Sequence, residues 1–161
     1  MRQVFARIER NPGDLDLSFS IEGEMRKLRI PEPRAPRIAE RLWQHTCCEM
    51  FVARQGEAGY HEFNFSPSGE WAAYAFTAYR AGAMLRDAAL APQISVTQSA
   101  RRLTLECRVR ADASGSLKLA LCAVIEELDG RLSYWALRHA PGKPDFHHRD
   151  AFALELDEVR H

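Results

Sequence analysis

Two carboxylates and one amide occupy positions from which their side chains could act together on a ligand. Glu49 lies in the alternating segment Cys47–Val52, and Glu62 and Asn64 lie in the next such segment, Tyr60–Phe65. Side chains alternate between the two faces of a strand, so Glu62 and Asn64 project from the same side. Consecutive strands usually lie beside each other, which would bring Glu49 to that face as well. Fixed acceptors and donors of this kind can orient the hydroxyl groups of a polyol.

Aromatic and imidazole side chains could complete such a site. Trp43 and His45 share the parity of Glu49 if their strand begins early, and Trp71 opens the following strand. Flat indole rings stack on the faces of sugar rings. We therefore predict that the ligand-binding residues are Trp71, Glu62, Asn64, Glu49, His45 and Trp43.

A solvated sheet face with two half-exposed tryptophans would produce the same pattern. The carboxylates would then pair with arginines such as Arg80 or Arg138, and surface pairs of this kind contribute little to stability. Trp43 and Trp135 could also be core residues, since Trp135 lies in a strongly apolar segment.

Two carboxylates on neighbouring strands also raise the possibility of glycoside hydrolysis, which needs carboxyl groups roughly 5–9.5 Å apart. Nothing in the sequence marks either glutamate as having a raised pKa. The sequence contains no Gly-rich phosphate loop, G-x-S-x-G or H-E-x-x-H motif. We therefore predict a protein that is not an enzyme.

The densest group of metal-capable side chains is the segment DFHHRD, residues 145–150. Adjacent histidines on an extended segment point to opposite sides, so each side could supply only part of a metal site. We interpret this segment as a polar loop and predict no metal.

Charge and composition exclude some classes of partner. The 161 residues carry 22 Lys and Arg against 22 Asp and Glu, so the formal net charge is zero. Nucleic acids and membrane surfaces normally require a basic excess, so neither is expected as a partner. The chain shows no apolar run of signal-peptide length and its cysteines lack C-x-x-C spacing, which predicts a cytoplasmic protein with reduced thiols.

Alternating segments recur along the whole chain and predict an all-β protein with one domain over residues 1–161. Turn residues separate them, which favours an antiparallel β-sandwich of immunoglobulin-like or jelly-roll type. The Pro-rich stretch 31–36 should be a loop, followed by a helical turn around Arg37–Leu42. Residues 79–91 could form a short helix or an ordered loop. The predicted strands are Arg2–Ile8, Leu15–Glu22, Cys47–Val52, Tyr60–Phe65, Trp71–Tyr79, Ile94–Gln98, Leu103–Val109, Leu117–Ile125, Ser133–Leu137 and Phe152–Leu156.

Two motifs resemble those of a known family. They are LWQHTCCEMFV at Leu42–Val52 and YHEFNFSPSGEWAAY at Tyr60–Tyr74, and the segments YWAL (134–137) and GKPDFHH (142–148) add to the similarity. The chain resembles the bacterial DOMON-like domain family, which is related to the family 9 carbohydrate-binding modules. The resemblance implies a β-sandwich that binds a small ligand, a sugar in family 9 modules and haem or a sugar in the wider DOMON group.

The motifs and the resemblance together favour a non-catalytic domain that binds a small sugar-like ligand without a cofactor. A haem-binding domain is one alternative, because the DOMON group uses Met and His as axial ligands and Met50, Met84, His45 and His61 are available here. A protein-interaction module is another, with a protein partner or a second copy of the chain docking on the aromatic face.

Overall fold

The computed structural model describes residues 2–110, 115–136, 145–148 and 151–156. Several sequence expectations fall outside these ranges. They concern the turn at Pro141–Pro144, most of the turn at Ala113–Gly115, and the residues Leu137, Arg138, Arg149 and Asp150.

The described residues form eleven strands, and all of the predicted strands are present with small shifts at their ends. Their bounds are β1 Gln3–Asn11, β2 Asp14–Glu22, β3 Cys47–Arg54, β4 Tyr60–Phe65, β5 Trp71–Ala78, β6 Ala81–Leu85, β7 Gln93–Gln98, β8 Arg102–Arg110, β9 Leu117–Glu126, β10 Leu132–Ala136 and β11 Leu154–Leu156. The pairings between these strands are all antiparallel.

The strands make two sheets. The smaller has the order β1-β2-β8-β7, and the larger has the order β10-β9-β3-β4-β5-β6 with β11 also paired to β9. This arrangement confirms the predicted antiparallel β-sandwich. Leu17 and Phe19 from β2 meet Met50 and Phe65 from the larger sheet in the main core. Strict alternation in β2 follows from this packing, because only one of its faces enters the core.

A second apolar cluster lies on the outer face of the larger sheet. Phe51 in β3 and Cys122 and Val124 in β9 are buried there beneath Phe146 and Phe152. Both faces of β9 are therefore covered, which explains its nearly uninterrupted apolar sequence, LKLALCAVIE. The covering segment also forms one wall of the site described below.

At two places the local structure differs from the sequence expectation. The helical turn expected at Arg37–Leu42 lies further along the chain, as a single 3-10 turn at Leu42–Gln44, and Ile38 instead forms an isolated bridge with Trp71. Residues 79–91, left open between helix and loop, contain strand β6 and a 3-10 turn at Ala88–Leu90. In the described part of the chain, no helix has the length and apolar character needed to cross a membrane.

Candidate functional site

A cleft of about 520 Å³ opens on the outer face of the larger sheet. Its floor is made by β3, β4, β5 and β9, and its walls come from the 3-10 turn before β3, from the β5–β6 hairpin, from β10 and from residues 146–147. The side chains that matter for its chemistry are Trp43, Glu49, Glu62, Tyr74, Arg80, Tyr134 and His147.

Glu49 and Glu62 are brought together by the register of β3 and β4. Glu49 pairs with Asn64, and Phe51 pairs with Glu62, so the two glutamates are diagonal neighbours on the same face. Both are nearly inaccessible, with 2% and 4% of their surfaces exposed. Burial raises the pKa of Glu62 to about 7. Burial and the nearby Glu62 also raise the pKa of Glu49 well above its usual range.

Asn64 lies on the same face and is fully buried. Its side-chain amide lowers the pKa of Glu62 and so partly offsets the effect of burial on that carboxyl group. The contact between the amide and Glu62 does not have regular hydrogen-bond geometry. Neither its Nδ2 nor its Oδ1 has a hydrogen-bond partner in the described part of the chain. Buried polar atoms without a partner are rare and costly. The amide has no exposed surface and does not line the cleft, so the structure does not place it in reach of a ligand.

A chain of polar contacts joins the floor to the covering segment. His147 Nε2 lies 3.3 Å from Glu62 Oε1, and its Nδ1 lies 2.9 Å from the Tyr60 hydroxyl. That hydroxyl accepts the backbone N–H of Arg80 at 2.9 Å. With Tyr60 donating to Nδ1, the ring proton of His147 sits on Nε2 and faces Glu62. Burial lowers the pKa of His147 to about 4, so the imidazole is neutral at pH 7.

Arg80 is placed by the tight turn between β5 and β6. It adopts a left-handed backbone conformation with φ 54°, and its guanidinium bonds Asp145 at 2.9 Å. Tyr79 also hydrogen-bonds Asp145. The turn and the segment around His147 are therefore tied together at the mouth of the cleft.

Two exposed aromatic side chains border the floor. Trp43 is 44% exposed and Tyr134 is 42% exposed, although both are large and partly apolar. Tyr134 approaches from the β10 side, and Trp43 lies within hydrogen-bond reach of Tyr74 on the β5 side. Flat rings held above buried polar groups suit a ligand with an apolar face and hydroxyl edges.

Of the predicted ligand-binding residues, Glu49, Glu62 and Trp43 line the cleft. Asn64 lies on the same sheet face but does not line the cleft. The expectation that Trp71 shares this face is wrong. Trp71 pairs with Phe65, whereas Asn64 pairs with Ala72, and paired residues project to the same side. Trp71 is consequently 3% exposed and packs between the two sheets.

His45 does not reach the cleft either. The strand begins at Cys47, so the alternation that would have aligned His45 with Glu49 does not extend back to it. Its Nδ1 lies 2.6 Å from Glu126 Oε2. Glu126 is 5% exposed and also faces Arg29, which makes this a separate polar cluster.

The SPSGE segment between β4 and β5 is a hydrogen-bonded turn. Ser68 donates to Glu70 Oε1 at 3.0 Å and accepts the Glu70 backbone N–H at 3.1 Å. Glu70 in turn bonds Arg37 at 2.7 Å, and Gly69 has φ 93°, which favours glycine. The turn sets the register that sends Trp71 into the core.

Another open depression, of about 480 Å³, lies on the outer face of the smaller sheet. Its lining is dominated by charged side chains, including the exposed pair Arg108–Asp16 at 2.7 Å. The described residues that line it include no aromatic side chain. It has the character of a solvated sheet face, and the cleft is the stronger candidate for a ligand site.

No protein-family model and no curated protein sequence matches the chain. Solved structures do match. A candidate carbohydrate-binding protein from Bacteroides uniformis superposes with a TM-score of 0.73 at 15% identity, over 97% of this chain and 78% of that one. Family 9 carbohydrate-binding modules from Caldicellulosiruptor kristjanssonii, in complex with glucose and with cellotriose, give TM-scores of 0.61 at 9% and 10% identity. They cover 97% and 99% of this chain, and 76% and 77% of theirs. The fold is that of the family 9 carbohydrate-binding modules.

Sequence reasoning missed several residues of the cleft in this family 9-like fold. Tyr74 shares the parity of Asn64 once the β4–β5 register is known. His147 lies in the segment considered for metal binding, but the described residues contain no cluster of three metal-capable side chains. From the sequence, Arg80 was a candidate surface partner for the glutamates and was not counted among the ligand-binding residues. Its place beside His147 depends on a hairpin turn that the sequence pattern did not reveal.

The haem alternative finds only one of its candidate ligands in the cleft, Met84. Met50 and His61 line another cavity, of about 370 Å³, where they are diagonal neighbours on the inner face of the larger sheet, and His45 faces Glu126. Because Met50 and His61 project from one sheet face, they do not oppose each other as the two axial ligands of a haem would.

Proposed function

We propose that this chain is a non-catalytic domain that binds a small sugar-like ligand in the cleft above Glu49 and Glu62. The observation that carries the proposal is the coincidence of exposed Trp43 and Tyr134 with buried carboxyl groups in one cleft. The ligands bound by the structurally similar family 9 modules, glucose and cellotriose, support it.

The polar groups have complementary roles in this proposal. Carboxyl oxygens of Glu49 and Glu62 accept from ligand hydroxyls, and the Arg80 guanidinium donates to ligand oxygens. Asn64, two residues beyond Glu62 on the same sheet face, is fully buried and lies outside the cleft lining, so the proposal gives it no contact with the ligand. Burial strengthens each of these bonds relative to water, because the local dielectric is low.

The arrangement favours binding over hydrolysis. A glycosidase places its two carboxyl groups on either side of the scissile bond. Glu49 and Glu62 both rise from one sheet face, so a sugar resting on that face would meet both groups from the same side. The raised pKa of Glu62 is explained by burial and does not require a catalytic role.

Calorimetric titration with mono- and disaccharides tests the proposal. We expect Trp43→Ala to weaken binding about ten-fold or more, which corresponds to about 1.4 kcal/mol. The matched control is Phe5→Ala, which removes an aromatic side chain of similar exposure outside the cleft. If no sugar binds, or if both variants weaken binding equally, the proposal is overturned. A Soret band in the purified protein would favour haem instead.

A further inference from the structure

On the floor of the cleft lie two carboxyl groups that form no ion pair with a lysine or arginine among the described residues. Glu49 Oε1 accepts only a weak bond from the Cys47 thiol at 3.6 Å, and Glu62 faces His147 at 3.3 Å. Among the described residues, no lysine or arginine forms an ion pair with either glutamate. Arg80 lines the cleft and forms its ion pair with Asp145, and its charge lowers the pKa of Glu62 without offsetting the larger effect of burial.

The other titratable groups around the pair do not supply positive charge at neutral pH. From the packed elements these are Cys47 on β3, Tyr60 on β4, Tyr74 on β5, Cys122 on β9, Tyr134 on β10 and His147 on the covering segment. Burial raises the pKa of both thiols and of Tyr60 and Tyr74 above their ordinary values. All four are therefore neutral, as is His147, whose pKa is about 4.

A neutral sugar would satisfy this floor incompletely. Its hydroxyls carry no charge and do not stabilise the ionised form of the buried carboxyl groups, which therefore meet a neutral sugar largely as neutral acids. An ammonium group has three donors. The floor offers matching acceptors in the carboxyl groups of Glu49 and Glu62, which are diagonal neighbours on one sheet face and both line the cleft.

Resting on the proposed function, we propose that the ligand is a cationic polyol, an amino sugar with a free amine, whose ammonium group sits between Glu49 and Glu62. The aromatic rings of Trp43 and Tyr74 suit the same ligand. An indole or phenol face stacks on the sugar ring and also attracts a nearby cation.

Binding of such a ligand releases a proton. Burial raises the pKa of Glu62 to about 7, so this group keeps most of its proton at pH 6.5, and burial also raises the pKa of Glu49 above its usual range. The ammonium stabilises both carboxylates, and a carboxyl proton then passes to the buffer. A neutral sugar lacks the charge to displace it.

Titration of three matched sugar forms tests the proposal. Glucose, galactose and mannose are each compared with the 2-amino sugar and its N-acetyl derivative, in phosphate and in MOPS buffer near pH 6.5. We expect one amino sugar to bind about ten-fold or more tightly than its neutral and N-acetyl forms, and its apparent enthalpy to differ between the buffers. Glu62→Gln should remove the preference for the amino form over the neutral form, measured as the ratio of the two affinities in that variant, whereas Glu106→Gln, on the smaller sheet, should change neither the ratio nor the affinities.

The outcomes separate the two proposals. If a neutral sugar binds as tightly as its amino form, or if the preference survives in the Glu49→Gln/Glu62→Gln double variant, the cationic ligand is overturned while sugar binding stands. If methylammonium binds as tightly as the amino sugar, the polyol is not recognised and the proposal also fails. If no form of any sugar binds, the proposed function itself fails.

Discussion

His147 Nε2 lies 3.3 Å from Glu62 Oε1, and burial shifts the pKa values of the two groups in opposite directions. The pKa of Glu62 rises to about 7, and that of His147 falls to about 4. Both groups thus favour their uncharged forms. The contact joins β4 to the segment that covers the outer face of the larger sheet, where Phe146 is anchored in an apolar cluster.

Because the two pKa values shift in opposite directions, replacing either Glu62 or His147 should change how the free energy of unfolding depends on pH. The stability contributed by Glu62 is present below pH 4.5 and is lost as the pH rises through about 7. The contribution of His147 is present above pH 6.5 and is lost as the pH falls through about 4. Between these limits the two slopes oppose each other in the natural protein.

In Glu62→Gln, the free energy of unfolding should therefore rise more steeply from pH 4 to 6.5 than in the natural protein. The increase due to His147 remains, and the decrease due to Glu62 is removed. In His147→Asn it should fall between pH 4.5 and about 7. Each unit of pKa shift corresponds to about 1.4 kcal/mol as an upper bound. Urea unfolding across this range measures both slopes. Profiles parallel to that of the natural protein would contradict the assignment of the two shifts.

Trp71 and Trp43 should respond differently to truncation. Trp71→Ala empties a site between the sheets and should cost about 3–5 kcal/mol of stability. Trp43→Ala removes a half-exposed ring and should cost less than about 1 kcal/mol. Ligand binding by the folded fraction should be retained in Trp71→Ala and weakened in Trp43→Ala. Thermal unfolding and calorimetry on the same samples measure the two effects, and the reverse pattern would place Trp71 at the ligand.

Ser68→Ala should loosen the turn between β4 and β5. The substitution removes a donor to Glu70 and an acceptor for the Glu70 backbone N–H, both in a buried place. The expected loss of stability is about 1–3 kcal/mol. Chemical unfolding measures it, with Ser95→Ala on an exposed strand position as the control. Equal effects from the two serines would show that the turn network adds nothing to stability.

Gly82→Ala should disturb the β5–β6 edge of the cleft. A Cβ atom at this position would lie 2.0 Å from the Ala75 carbonyl oxygen and 2.6 Å from the Phe76 Cα, so the backbone must move. We expect a loss of about 1–3 kcal/mol, typical of overpacking. Ala81→Ser, at the exposed neighbouring position, is the control for thermal unfolding. Unchanged stability in Gly82→Ala would show that the β5–β6 hairpin can shift its backbone to accommodate the Cβ atom without a measurable loss of stability.

Much of the fold could be predicted because alternation reports directly on burial. Leu15 to Glu22 alternates without a break, and β2 follows that pattern with Leu17 and Phe19 in the core. The pattern failed at 79–91, where alanine-rich sequence is compatible with both helix and strand, and pairing with β5 decides for a strand at Ala81–Leu85. The resemblance of the two central motifs pointed to the same fold as the solved structures. The link to DOMON-like domains stays a prediction.

The candidate site was only partly predictable, because parity within one strand does not say how two strands align. Glu49, Glu62 and Asn64 share a face as expected, because β3 and β4 are adjacent and pair Glu49 with Asn64 and Phe51 with Glu62. Trp71 was misplaced because the turn at Ser66–Glu70 aligns it with Phe65. His147 and Arg80 reach the cleft only through contacts between segments distant in the chain.

By itself the sequence determined the sandwich class and the face shared by the two glutamates and Asn64. These depend on local periodicity, which short-range sterics and burial impose on every strand. The tertiary structure alone decided which aromatic residues border the cleft, and that Glu49 and Glu62 are buried with no lysine or arginine of the described residues paired to them. The burial of a side chain and the groups that it contacts depend on how the whole chain packs, so they cannot be derived from residue type and spacing.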